Sequence, residues 1–218
     1  LPHDEDELFK SETKNPENEL LTGGWSQLKQ IMTPILITLF GMIFVASFGL
    51  AGFESIYSLY VNEVHNFDLN AIALVLTLNG IISLILQVFF FDRLVRWLGE
   101  VRLMRYSFFL SLVGTIMVIY DHNHWHIIIA TLFVFEAFDM LRPTITTLLT
   151  KMSKTNQGLL NGVNMSLTSV GNIIGPLISG YLLDVNYQYP YWFVSIFLII
   201  SWVITLVLGR ERKAATND

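Results

Sequence analysis

Six apolar segments, separated by short polar stretches, account for most of the sequence from residue 34 onward. Their bounds are 34–61, 70–91, 103–120, 127–149, 160–183 and 190–208. Each segment is long enough to cross a bilayer, which requires about 20 helical residues. The pattern therefore predicts an all-α membrane protein with one six-helix transmembrane bundle over residues 34–208.

The residues on either side of this bundle are polar. Residues 1–33 contain seven of the 18 acidic residues, and such a composition buries too little apolar surface to fold alone. We predict a cytoplasmic linker or tail over 1–33, with a short candidate interfacial helix at its end, and a second tail over 209–218. Because the chain begins with Leu1 and not with Met, we expect it to be a fragment of a longer protein.

The positions of Lys and Arg predict the orientation of the bundle. The connections 62–69, 121–126 and 184–189 contain neither residue type. Twelve of the 13 Lys and Arg residues lie in the other connections and tails, including a predicted basic loop over 92–105. Because basic loops stay in the cytoplasm, both termini are predicted to be cytoplasmic, in a multi-pass protein of the plasma membrane. The thirteenth basic residue, Arg142, falls inside an apolar segment.

Composition excludes several classes of function. Charged residues make up 14% of the chain, against about 25% in typical soluble domains. The absence of cysteine excludes disulfides and thiolate chemistry, and the scattered basic clusters do not indicate nucleic-acid binding. No H-E-x-x-H, G-x-S-x-G or phosphate-binding glycine loop occurs, so we predict neither an enzyme nor a cofactor. The histidines of 122–126 lie in a short loop without a scaffold, so we predict no metal site.

The fourth apolar segment contains Glu136, Asp139 and Arg142 at three-residue spacing, on one side of a helix. Unpaired charges in hydrocarbon are costly, so such a stripe indicates a functional site. One interpretation is an ion pair of Asp139 with Arg142 that pins helices together. The other is a water-filled cavity in which Asp139 binds and releases protons. Glu136 is either an acid at the outer vestibule of this cavity or a further partner for Arg142.

The first apolar segment contains one acid, Glu54, within a run of aromatic and small residues. It is either hydrogen-bonded near the outer end of the helix or, as we favour, exposed to a cavity where it attracts cations. Tyr57 and Phe135 fall near the charged faces of the first and fourth segments. Since aromatic rings attract cations and flat molecules, these two are candidates for the walls of a binding pocket.

The fifth segment carries two further patterns. Small residues and a proline recur as G-x8-G-x3-G-P-x3-G, and these positions are Gly162, Gly171, Gly175, Pro176 and Gly180. Such spacing provides a smooth face for a neighbouring helix, and the proline permits a bend. Asn164, Thr168 and Asn172 form a polar stripe that should face protein or a cavity, with Thr168 and Asn172 as candidate substrate contacts.

These features resemble the second half of a major facilitator superfamily transporter. Asp92 and Arg93, followed by Gly99 and Arg102, resemble a loosened copy of that family's cytoplasmic loop motif. The glycine pattern of the fifth segment resembles its antiporter signature, with Ser179 in place of one glycine. The resemblance implies two inverted three-helix repeats, with substrate bound between the two halves of the transporter.

The chain is more closely similar to NorA-type multidrug efflux pumps, through the segments 20–22, 53–60, 90–92, 138–146 and 171–178. By this resemblance Glu54 and Asp139 match the acids of proton coupling, and Arg142 and Phe135 match residues of the drug pocket. Glu136 departs from the family pattern, in which an apolar residue is expected.

The implied function is proton-coupled export of amphipathic or cationic drugs such as quinolones and dyes. The implied partners are protons, these drugs, the lipid bilayer and a missing N-terminal six-helix half. Two alternatives remain open. One is a major facilitator transporter of another substrate, such as a sugar or lipid precursor, and the other is a membrane scaffold without transport activity.

Overall fold

The computed structural model of the chain describes residues 32–121, 123–152 and 156–214. The predicted linker, apart from its last two residues, and the candidate interfacial helix lie outside these ranges. Helix α1 begins in a short unit that ends at Ile37, and the chain from Thr38 onward forms one compact unit. Throughout the described residues the regular structure is helical.

Within these ranges the fold has seven α-helices and one π-helical turn. Helix α1 is Pro34–His65, α2 is Leu69–Ile85, the π turn is Leu86–Phe90, and α3 is Phe91–Leu98. They are followed by α4 (Glu100–Tyr120), α5 (His124–Met152), α6 (Gln157–Val185) and α7 (Tyr189–Ala214). The predicted all-α membrane bundle is confirmed, and each helix except α2 is longer than its apolar segment; α2 continues through the π turn into α3.

Five helical stretches are long and apolar enough to cross a membrane, namely α1, the stretch from α2 through α3, α4, α6 and α7. Helix α5 has 29 residues and is thus also long enough, and it carries Glu136, Asp139 and Arg142. Helix α5 therefore carries three charged residues in its middle part, at positions 136, 139 and 142.

The connections between the helices are short because local side chains end and start each helix. The carboxylate of Asp68 accepts a hydrogen bond of 2.9 Å from the backbone N–H of Ala71 and thus caps α2. Just before it, Asn66 adopts a positive φ of 55°, and the Asn62 side-chain amide donates to the Phe67 carbonyl at 2.7 Å. These contacts turn the chain from α1 into α2 within three residues.

The predicted loop over 92–105 is wrong, because most of these residues are helical. The π turn leads directly into α3, where Asp92 lies in the first turn and Arg96 in the last, as the helix dipole favours. Only Gly99 interrupts the helical chain before α4, with a φ of 77° that glycine adopts without strain. Asp92 and Arg93 are exposed on α3 and therefore belong to a helix instead of a loop.

Helices α1 and α6 approach each other most closely at two glycines. A Cβ atom at Gly175 would lie 2.6 Å from the Phe48 carbonyl oxygen and 3.0 Å from the Gly52 nitrogen. A Cβ at Gly171 would lie 3.0 Å from the Phe48 nitrogen. Because these neighbours are backbone atoms, the contact depends on the absence of a side chain. The other two glycines of the pattern, Gly162 and Gly180, have open space at the Cβ position.

We expect Gly175→Ala to destabilise the bundle by about 1–3 kcal/mol, since its methyl group collides with backbone atoms that cannot rotate away. The matched control is Gly180→Ala on the same helix, which should leave the stability unchanged or slightly higher because Ala favours helices. Thermal unfolding of the detergent-solubilised protein measures both effects. Equal melting temperatures for the two variants would contradict this account of the α1–α6 contact.

Candidate functional site

A chain of hydrogen bonds on α2 and α5 holds Asp139. The Ser83 hydroxyl donates to the Asp139 carboxylate at 2.8 Å, and the Gln87 side-chain amide donates to the Ser83 oxygen at 2.9 Å. Ser83 and Gln87 lie one turn apart in a mostly apolar helical stretch, and the π turn begins between them. The sequence-based prediction missed both residues, although two polar side chains at four-residue spacing in an apolar segment were a usable signal.

Arg142 lies one turn beyond Asp139 on α5 and is half-buried. Asp139 and Arg142 are close enough to interact electrostatically. Within the described ranges, however, the ion pairs are His126 with Asp121 and Lys151 with Glu100, and they do not include Asp139 with Arg142. The interpretation of Asp139 and Arg142 as a closed ion pair therefore has no support from their geometry.

Two prolines change the backbone next to candidate site residues. Pro143 lies inside α5 four residues after Asp139, and Pro176 lies inside α6 four residues after Asn172. Because proline has no N–H, the carbonyl groups of Asp139 and Asn172 cannot accept the usual helical hydrogen bond from these positions. At both places the helix thus provides a backbone acceptor beside a polar side chain.

Glu54 and Asp139 occupy different surroundings. Glu54 lies on an exposed side of α1 together with Ser55, whereas its neighbours Phe53 and Tyr57 are buried. Asp139 is half-buried and bonded to α2. No hydrogen bond or ion pair connects the two acids in the part of the chain that the structure describes.

Tyr57 and Phe135 belong to a packed aromatic cluster, which we define as Phe53, Tyr57, Tyr60, Phe135 and Tyr191. The ring centroids of Tyr57 and Phe135 lie 5.6 Å apart at 78°, the edge-to-face arrangement that aromatic rings prefer. The exposed fractions are 0% for Tyr57 and 2% for Phe135. The two candidate pocket residues therefore lie together, inside the protein and not on an open surface.

The polar stripe of α6 has three different environments. Ser47 on α1 donates to the Thr168 hydroxyl at 3.4 Å, and the Asn164 amide donates to the Thr146 hydroxyl on α5 at 3.0 Å. Asn172 is exposed. Thr168 thus contributes to a contact between helices, and Asn172 is the member of the stripe that is open to a ligand.

A second set of charged contacts lies at the end of the bundle where α4 begins and α5 ends. The Lys151 ammonium group donates to the buried carboxylate of Glu100. The Arg105 guanidinium donates to the Thr205 carbonyl on α7 at 2.9 Å. The sequence-based prediction treated these basic residues only as orientation signals, because a loop was expected where α3 and α4 are helical.

The predicted loop 121–126 is partly helical, because His124 and His126 lie in the first turn of α5. His126 forms an ion pair with Asp121 at 2.9 Å. Residues of this loop form no three-membered group that could hold a metal ion, as far as its described positions extend. His122 lies outside the described ranges.

The sequence profile of the Major Facilitator Superfamily matches residues 39–218, which include every site residue discussed above. The chain belongs to the Major Facilitator Superfamily. This finding confirms the family resemblance seen in the sequence.

Several curated relatives of this major facilitator chain are named for drug resistance. The chain is 38% identical over 205 residues to Multidrug resistance protein 1 of Bacillus subtilis, covering 93% of this chain and 53% of that protein. It is 33% identical over 219 residues to Quinolone resistance protein NorA of Staphylococcus aureus, covering 100% of this chain and 54% of that protein. Multidrug resistance protein 2 of Bacillus subtilis is 33% identical over 192 residues, covering 86% and 47%. The chain spans about half the length of the curated relatives it matches.

We expect Ser83→Ala to lower the stability by about 1–3 kcal/mol, because Asp139 loses its donor and Gln87 loses its acceptor. The matched control is Ser169→Ala, an exposed serine on α6 that bonds only to the carbonyl one turn before it. Thermal unfolding in detergent compares the two variants. A melting temperature for Ser83→Ala equal to that of the control would show that the hydrogen bond on Asp139 contributes nothing.

Proposed function

We propose that this chain is the C-terminal half of a proton-coupled exporter of amphipathic or cationic drugs, and not an enzyme. The observation that carries the proposal is the half-buried carboxylate of Asp139, hydrogen-bonded across two helices inside a membrane bundle. Charged groups in such positions are costly, and in transport proteins they mark the paths of ions and substrates. The relatives are named for multidrug and quinolone resistance, which supports drugs as the transported compounds.

The proposal requires a second half of the transporter. The exposed surfaces of α2 and α6 are evidence for such a half. In the most apolar stretch of each of these helices 17% of the residues are buried, against 56% in α1 and 50% in α4. Helices α2 and α6 therefore present long apolar faces that this chain alone leaves uncovered. In transporters of this architecture the substrate binds between the halves near the midplane of the membrane.

In the proposed cycle, Asp139 and Glu54 exchange protons for drug. A proton that enters from outside neutralises one of the acids and weakens its attraction for a cationic drug, which then leaves. The return of the transporter to its inward-facing form releases the proton to the cytoplasm, where we place both termini of this chain. The membrane potential contributes roughly 2.3 kcal/mol per charge per 100 mV to this exchange.

Because the aromatic cluster is buried, we propose that a drug contacts other residues before it reaches these rings. Tyr57 and Phe135 are enclosed, so a drug reaches their rings only after the helices around them separate. Glu54 and Asn172 are exposed, and they lie on the two helices that meet at Gly52 and Gly175. We therefore assign the first contact with a cationic drug to Glu54 and Asn172, and contacts with Tyr57, Phe135 and Arg142 to a later, more open state.

We expect Glu54→Gln and Asp139→Asn to reduce efflux driven by a pH gradient at least tenfold, because amides keep the shape of the side chain but cannot exchange the proton. The matched control is Glu63→Gln, which changes an exposed acid at the end of the same helix as Glu54 and should transport normally. The assay uses proteoliposomes with the polypeptide that contains both halves and a fluorescent cationic dye. Normal efflux by both variants would overturn the coupling roles.

The same assay distinguishes the alternatives. A transporter of a sugar or lipid precursor would move its own substrate but not the dye, and a scaffold would move neither and would tolerate loss of both acids.

Residues 34–208 expressed without any first half should not transport the dye, because one wall of the proposed pocket is then missing. Co-expression with the N-terminal half should restore efflux. Dye efflux by the six-helix bundle alone would contradict the proposed position of the pocket.

A further inference from the structure

Next to Asp139 and its hydrogen bonds, a separate cavity of about 450 Å³ opens between α2, α4 and α5. This volume falls within the roughly 300–1,000 Å³ that is usual for sites of small molecules. Its wall is formed almost wholly by apolar side chains, such as Ile82, Leu86 and Leu103. Leu86 is also the first residue of the π turn, a type of distortion that is frequent at functional sites.

Glu136 is the only acid in the wall of this cavity. Its exposed fraction is 7%, and neither carboxylate oxygen has a hydrogen-bond partner in the part of the chain that the structure describes. The nearby Asp139 carboxylate interacts with it electrostatically and adds negative potential. Buried polar groups normally have partners, so both oxygens of this acid are open to a contact from a ligand in the cavity.

The mouth of the cavity is aromatic and aliphatic. Tyr106 and Phe133 have exposed fractions of 56% and 51%, and Leu110 lies beside them. In a chain embedded in a bilayer, large apolar side chains with this exposure face lipid or a compound dissolved in it. Aromatic faces also attract organic cations.

We propose that this cavity binds a small lipophilic organic cation that enters from the lipid phase, with its charge against Glu136 and its hydrocarbon groups between Tyr106 and Phe133. An acyl chain would fill the space but leave the acid without a partner. A metal ion would lack ligands, because Ser107 is the only other polar side chain of the wall apart from Tyr106.

The cavity is distinct from the site proposed for proton coupling. On α2, Ile82 contributes to the wall of the cavity, whereas the adjacent Ser83 is bonded to Asp139. Binding at Glu136 can therefore be measured without a pH gradient, and it does not depend on the proposed transport function.

The experiment uses the full polypeptide that contains this chain, reconstituted in nanodiscs. This chain has no cysteine, so Ser107→Cys introduces one thiol in the wall of the cavity. Alkylation of that position by N-ethylmaleimide is followed by mass spectrometry, with and without tetraphenylphosphonium. Tetraphenylborate has a similar size and shape but the opposite charge, and it is applied at the same concentration in the bilayer.

We expect tetraphenylphosphonium to slow alkylation at least fivefold and tetraphenylborate to leave it unchanged. Adding Glu136→Gln should abolish the protection while the unprotected rate stays the same, which shows that the fold is intact. Leu110→Trp, which fills the mouth without changing a charge, should prevent protection as well.

Three results would overturn the proposal. Absence of alkylation without ligand would show that the cavity is closed to small molecules. Equal protection by both tetraphenyl ions would show an apolar cavity without charge selection, as expected for an acyl chain. Undiminished protection in Glu136→Gln would show that the acid does not bind the cation.

Discussion

A polar group inside a membrane bundle is costly unless it finds a partner within the protein, because hydrocarbon offers none. This constraint accounts for the contacts that connect the helices of this chain. Ser83 on α2 donates to Asp139, Gln87 in the π turn donates to Ser83, and the hydroxyls of Ser47 and Thr168 meet between α1 and α6. Each polar contact fixes two helices relative to each other, and the apolar side chains around it fill the remaining space.

Helix α1 is held on two sides by opposite means. On one side Gly52 meets Gly175 and Ser179 of α6, where the lack of side chains lets the backbones approach. On the other side Phe53 and Tyr57 pack with the rings of Phe135 and Tyr191. Glu54 projects from the exposed side that remains. Glu54 is therefore exposed because the glycine contact and the aromatic contact on its own helix occupy the other two sides.

The sequence predicted the helices well, because apolar length is a strong signal and the bilayer sets its scale. It also brought Glu54, Asp139 and Arg142 to attention, since charges in apolar segments stand out. It did not predict that Tyr57 and Phe135 are buried together, because a ring that packs and a ring that lines a pocket have the same sequence. The helix of Phe91–Leu98 was missed because its charged residues suggested a loop. The sequence also did not predict the hydrogen bond of Asp139 or the lack of a hydrogen-bond partner at Glu136. Both depend on which residues face each other across helices, and the spacing of residues along the chain does not contain that information.

The stretch from Leu69 to Leu98 is helical over 30 residues, so at 1.5 Å per residue it extends about 45 Å. One part of it carries Ser83, which is bonded to Asp139, and its far end carries the exposed Asp92 and Arg93. The π turn lies between them and interrupts the regular α-helix at Leu86–Phe90 with a wider ring of hydrogen bonds. One helical stretch therefore joins the donor to the Asp139 carboxylate to an exposed, charged end, with the π turn between them.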